Sequence, residues 1–324
     1  MNKHDRVVAA IRGDEVDGIP SCFSLHFPAD QAVGDPAVEA HLRFFEETDT
    51  DVIKIMNEHL LRQYDMVRTP AEYAAAVKRL CKETRAVEDQ VDMTSRILER
   101  AERSAFSMGT LHGIVASAIH VIGHMGEHYP WMAERQMLTD FCRWDEPAML
   151  DAFERICEVQ CRMATAYVQD AGVDSVFYAS LGAETRWFTD EEWARLVKPY
   201  ELRIMRAIHE AGGYVFLHIC KDHLNMARYD ADYLEVADVV NWGVYEVPFS
   251  LDEGRAQFPG KTILGGLDDR DGAITQGAEQ ARAAVRELVG GFGRRGLILG
   301  ADCTLATDQD TSVVRAAVEE ARGL

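Results

Sequence analysis

His218 and Cys220 stand two residues apart at the end of the run YVFLHIC (214–220), and Cys303 ends a similar run, LILGADC (297–303). Alternation along a strand points 218 and 220 to one face and sends Leu217 and Ile219 to the other. One imidazole and two thiols suit Zn²⁺, and three protein ligands leave a fourth position open, as in a catalytic site. Two thiolates and a neutral imidazole would cancel the charge of the metal. A thiol entering the open position would lose its proton readily. Its sulfur would keep enough electron density to attack an alkyl carbon, whereas a fully cationic site favours activated water. The ligand set therefore leans towards alkylation of sulfur. Spacing alone leaves an alternative open: a gap of about 80 residues makes no local motif, and the same three side chains could fill a barrel core.

Further polar residues fall at or just after strand ends. Glu184, Asp268 and Tyr178 are candidates for catalysis, and Asn57, His112, Asn241 and Trp242 for substrate binding; Glu58 and Tyr245 could reach the same mouth. Glu184 could complete the zinc shell when no thiol is bound. His120, His124 and His128 recur every four residues on one helix face. Without a carboxylate motif such as His-Glu-x-x-His they read as a polar face. Gly291, Gly293 and Gly296 satisfy the dinucleotide fingerprint on paper, but they follow a helix and precede a strand, the reverse of what it requires. They read as a helix end and a turn. Cys157 and Cys161, four apart on a helix, read as buried thiols.

The elements that must position these residues alternate. Strands are expected at 19–25, 51–57, 105–110, 175–180, 214–220, 239–245, 262–267 and 297–303, all rich in apolar residues. Helices are expected at about 36–48, 190–211, 276–289 and 311–322, with long helical stretches over 114–170. Eight strands alternating with helices predict a parallel sheet, and the length favours closure into a (β/α)8 barrel with extra helices between the third and fourth strands. No linker or repeat divides the chain.

With 324 residues and 47 % hydrophobic content, the chain can bury a sizeable core. A formal net charge of -20 argues against nucleic acid and anionic membranes as partners. No apolar run is long enough to span a bilayer, and the N-terminus lacks a signal-peptide core, so a cytoplasmic location is expected. Seven scattered cysteines do not form a disulfide framework.

The stretches EEWARLVKPYELRIMRAIHEAGGYVFLHICKD, VVNWGVY, TILGGLD and RGLILGADCTL resemble the uroporphyrinogen decarboxylase superfamily. So do DRVVAAIRGDEVDGIP and TDTDVIKIMNEH, so the likeness covers nearly the whole chain, 1–324, as a single barrel domain. The resemblance implies the (β/α)8 fold. His-x-Cys followed far downstream by Cys marks a zinc branch that includes methylcobalamin:coenzyme M methyltransferases and epoxyalkane:coenzyme M transferases. By that resemblance His218, Cys220 and Cys303 bind zinc and activate a small thiol. The decarboxylase branch fits poorly. It grips a polycarboxylate through arginines of an Arg-Gln-Ala-Gly-Arg loop, and residues 13–42 here contain neither Arg nor Lys. The Asp-x-His-x-x-Gly pattern of corrinoid-binding domains is absent too, so cobalamin would come from a partner corrinoid protein or as a free substrate. Two other readings remain: a decarboxylase or lyase acting on a small non-porphyrin substrate, and a non-catalytic zinc- or corrinoid-binding protein.

Overall fold

The structure is a computed structural model that describes residues 1–62, 65–123 and 132–324. Seven parallel strands follow one another in chain order: β1 (Val52–Ile55), β2 (Phe106–His112), β3 (Ser175–Ser180), β4 (Tyr214–Ile219), β5 (Val239–Trp242), β6 (Thr262–Leu267) and β7 (Leu297–Ala301). The segment expected as a first strand, 19–25, is extended but pairs only through isolated bridges, Ser21 with Leu299 and Leu25 with Leu305. It nevertheless closes the ring. Cys22 N–H donates to Leu299 on one side, and the N–H groups of Asp51 and Val52 donate to Ser21 on the other. The result is a (β/α)8 barrel with one irregular stave.

Alternation sorts the strand residues into two packed populations. Val52, Phe106, Met108, Phe177, Phe216, Val239, Leu264 and Ile298 pack together inside the ring, and Val7, Ala10 and Ile11 of the helix Lys3–Ile11 plug its lower end. The intervening residues, such as Ile53, Ile55, Tyr178, Leu217 and Trp242, belong to the larger core between sheet and helices. The insertion after β2 contains the helices Ile114–Ile122, Ala133–Trp144 and Glu146–Ala166. Two helices not foreseen, Pro70–Leu80 and Arg85–Arg100, lie between β1 and β2.

Two expected helices are each divided. The first breaks at Val197, because Pro199 starts the helix Lys198–Ala211 and cannot continue the one before it. The second breaks at Gly277, between Ala273–Gln276 and Ala278–Phe292. Gly293, with φ 92°, then ends the latter helix before β7, as the turn reading of that glycine run required. Among the described residues, no helix is long and apolar enough to cross a membrane.

Candidate metal centre

β4 carries His218 near its upper end, and Cys220 follows directly; Cys303 lies two residues beyond β7. One ligand atom from each of the three falls within 4.8 Å of the others, and among the described residues they form the one such group. Cys303 Sγ is 3.5 Å from His218 Nε2. Tetrahedral bonds of about 2.0–2.3 Å place neighbouring ligand atoms about 3.3–3.8 Å apart. The donor types suit a zinc ion, and the His218–Cys303 separation matches tetrahedral spacing.

The register puts Asn241 of β5 beside His218. Asn241 Nδ2 donates to the carbonyls of Leu264 (2.8 Å) and Ala301 (3.2 Å), which leaves Oδ1 to accept from His218 Nδ1 at 2.5 Å. That bond fixes the tautomer, because the proton on Nδ1 leaves Nε2 with the lone pair aimed at the sulfurs. Phe177 stacks on the imidazole with centroids 5.0 Å apart. The two thiols ionise unequally. The neighbouring Cys220 thiol holds Cys303 well below the ordinary thiol range, while interaction with Cys303 and burial push Cys220 well up. A divalent ion bound between them would keep both as thiolates.

The three ligands line a pocket of about 420 Å³ that also receives Lys54, Thr110, His112, Phe177 and Asp269. Charged side chains at its rim are mostly paired: Arg135 with Glu184 (2.6 Å), His26 with Glu58 (2.6 Å), and Arg270 with Glu246. Asp269 is 6 % exposed, has one oxygen without a partner, and is pushed up to about 6 by burial. A larger groove, about 1010 Å³, runs over the outside of the helices near Cys161 and Arg203. It gathers no comparable set of ligands.

Several expected site residues lie elsewhere. Tyr178 pairs in register with Leu217 and faces the helices, where it borders Glu201. Trp242 likewise faces outward, packed so tightly under Gly254 that a Cβ there would come within 2.0 Å of its ring. Asn57 lies behind β1 and β2, bonded to the His59 N–H, not in the pocket. Asp268 caps the turn after β6 by accepting from the N–H of Arg270 (2.9 Å), and its neighbour Asp269 takes the place in the pocket. Glu184 is outside the ligand group: its carboxylate is held by Arg135, the Gly182 N–H and the Trp187 indole. Asn241 supports His218 from the neighbouring strand and does not line the pocket. Tyr245 stands 67 % exposed on the rim. His112 does line the pocket, edge-on to His120 at 5.0 Å. His120 is buried against the pocket and so lies on no solvated face, while His124 and His128 lie outside the described residues.

Lys54, Phe177, Arg135 and Asp269 escaped the sequence reading. For Lys54 a signal existed, since the alternation of DVIKIMN sets it on the inward face with Val52 and Met56.

The profile of the family described as uroporphyrinogen decarboxylase (URO-D) matches residues 65–324. Among solved structures, a methyltransferase from Methanosarcina mazei is similar with a TM-score of 0.75 and 15 % identity, over 99 % of this chain and 98 % of that one. A putative vitamin-B12 independent methionine synthase from Listeria monocytogenes is similar with a TM-score of 0.54 and 11 % identity, over 96 % of each chain. At these identities the likeness is one of fold. No curated protein matches the sequence.

Proposed function

The chain belongs to the uroporphyrinogen decarboxylase family, and from that premise we propose that it is a zinc-dependent alkyl transferase that activates a thiol substrate, with a corrinoid-bound methyl group as the donor. The observation that carries this reading is the convergence of His218, Cys220 and Cys303 within 4.8 Å on the wall of a pocket. Bound there, zinc would supply a Lewis acid that favours the thiolate form of an incoming thiol. The similarity to the Methanosarcina mazei methyltransferase supports methyl transfer, and the absence of an Asp-x-His-x-x-Gly pattern supports delivery of the corrinoid by a partner.

The protein's own residues then have distinct tasks. Asn241 holds His218 in the tautomer that can ligate, and Cys220 and Cys303 supply the negative charge that keeps a third sulfur electron-rich. Phe177, Ala179 and Leu181 give the pocket an apolar wall that limits water around the reacting sulfur. Its volume suits a small thiol and a single alkyl group, not a porphyrin. In the transfer a sulfur–carbon bond forms as the carbon–cobalt bond breaks. The electron pair of the latter stays on cobalt, and the thiol proton goes to solvent.

Zinc-loaded protein mixed with methylcobalamin and a panel of thiols tests the proposal. Loss of the methyl–cobalt absorption with at least one thiol is expected. An unchanged spectrum with every thiol would oppose it. Turnover of a small substrate that survived loss of both cysteines would point to decarboxylase or lyase chemistry, and tight metal binding without turnover to a binding protein.

A further inference from the structure

We propose that Lys54 is a positioning residue that supplies the counter-charge for the substrate thiolate, an inference that rests on the thiol reading above. Lys54 stands within β1, beside Met108 in register, and its ammonium rests 3.3 Å from the centre of the Phe177 ring. Phe177 in turn stacks on His218, so one aromatic ring separates the cation from the ligand imidazole. Lys54 lines the pocket, and the surface it retains faces that space. Among the described residues it has no hydrogen bond or ion pair; burial lowers its ammonium to about 8, opposed only by the neighbouring thiols of Cys22, Cys303 and Cys220.

A lysine inside a barrel without a carboxylate partner is costly, and folds seldom retain one unless a ligand pairs with it. Every other Asp, Glu, Lys or Arg bordering the pocket (Glu134, Arg135, Lys221, Asp269 and Arg270) stands on a loop or helix beyond the strand ends. Lys54 alone among them lies in a strand, on the floor, where a charge acts through less solvent. The charge balance then points to its partner. A divalent ion with two thiolates and a neutral imidazole sums to zero, which leaves the lysine's positive charge uncompensated. A third sulfur entering as thiolate brings the one negative charge required. Lys54 thus favours the ionised thiol over the neutral one, and the cation–ring contact holds it in place without satisfying it.

The test uses the full chain loaded with Co²⁺, whose sulfur-to-metal charge-transfer absorption rises with each added thiolate. Wild type, Lys54→Met and Lys54→Gln are titrated with a neutral thiol (2-mercaptoethanol) and an anionic one (3-mercaptopropionate) across pH. Both variants should keep one metal per chain and an undiminished thermal midpoint, since Met fits beside Met108 and Phe177. Both should bind both thiols about ten- to a hundredfold more weakly at pH 7, and the pH midpoint of binding should rise by about 1–2. Unchanged affinity and midpoint would overturn the inference. So would a loss confined to 3-mercaptopropionate, which would make Lys54 a receptor for the acid group, or a change in only one variant. Loss of metal or of folding in both would make the lysine structural and overturn it equally. If wild type gained no absorption with either thiol, the thiol reading itself would fall, and this inference with it.

Discussion

The two ends of the barrel treat charge in opposite ways. At the lower end Arg6 is clasped between Asp17 (2.7 Å) and Asp51 (2.5 Å), and the second oxygen of Asp51 accepts from the backbone and hydroxyl of Ser21 (3.0 and 2.9 Å). Hydrogen bonding to Asp17 raises the Arg6 guanidinium further, and Arg6 in turn holds Asp17 far below the usual carboxylate range. This cluster ties the N-terminal helix and the irregular stave to β1. At the mouth, one oxygen each of Asp269 and Asp302 lacks a partner, and among the described residues Lys54 has a ring contact but no hydrogen bond or ion pair. Buried polar groups are nearly always satisfied, so a concentration of unsatisfied ones marks where something else binds. The lower cluster stabilises, and the mouth waits for a ligand.

The contrast breaks most sharply at the ligands. Cys303→Ala should reduce bound metal from one per chain to almost none and alkyl transfer by about a thousandfold or more, since two ligands seldom retain zinc. Metal analysis and methylcobalamin turnover measure both, while the thermal midpoint of the metal-free chains should barely differ. Arg6→Ala should do the reverse. It leaves the wholly buried Asp51 carboxylate with only the more distant Arg322 (3.6 Å) as charge partner and should cost up to about 3–5 kcal/mol in denaturant unfolding, with metal content unchanged. If Arg6→Ala lost metal as readily as stability, the division between the two ends would fail.

A third buried charge sharpens the comparison because it belongs to neither end. Glu201, wholly buried behind β3, accepts from Ser180 and Tyr233, and burial pushes its carboxyl up to about 7 from an ordinary 4.5. Below pH 4.5 it is protonated whether the chain is folded or not, and it costs nothing. From 4.5 to 7 the unfolded chain ionises first, so stability falls, and above 7 the full penalty persists. Glu201→Gln should therefore stabilise the protein by about 2–3 kcal/mol at pH 8 and leave it unchanged at pH 4. Equal effects at both pH values would contradict the assignment. The smallest effect is expected at Asn241→Ala, which removes the acceptor from His218 Nδ1. Metal affinity should drop about ten- to a hundredfold in a chelator competition, with the fold retained.

The barrel was legible because alternation of short apolar runs with helices is a strong pattern, and the His218, Cys220 and Cys303 cluster because their residue types are rare at strand ends. The remaining candidates were chosen by nearness to strand ends, and nearness does not decide direction. Tyr178 and Trp242 fail on the same alternation rule that placed His218 and Cys220 together, since each is one residue out of phase with the inward face. Glu184 and Asp268 lie in loops, where no period says which neighbour reaches the pocket; Asp269 does so because Asp268 caps the turn. Asn241 was in phase and level with His218, but its side chain is taken up by that imidazole and by the carbonyls of Leu264 and Ala301, so it does not line the pocket. The irregular stave looked like a strand because its pattern is apolar, yet it pairs only through isolated bridges where it joins β7 to β1.

X-ray absorption at the zinc edge, recorded on the zinc-loaded wild-type chain before and after adding a thiol, tests the proposed centre most directly. One nitrogen and two sulfurs at about 2.0–2.3 Å should surround the metal at first, and a third sulfur should join them with the thiol. A shell of oxygen and nitrogen alone, or two sulfurs with no third however much thiol is added, would contradict it.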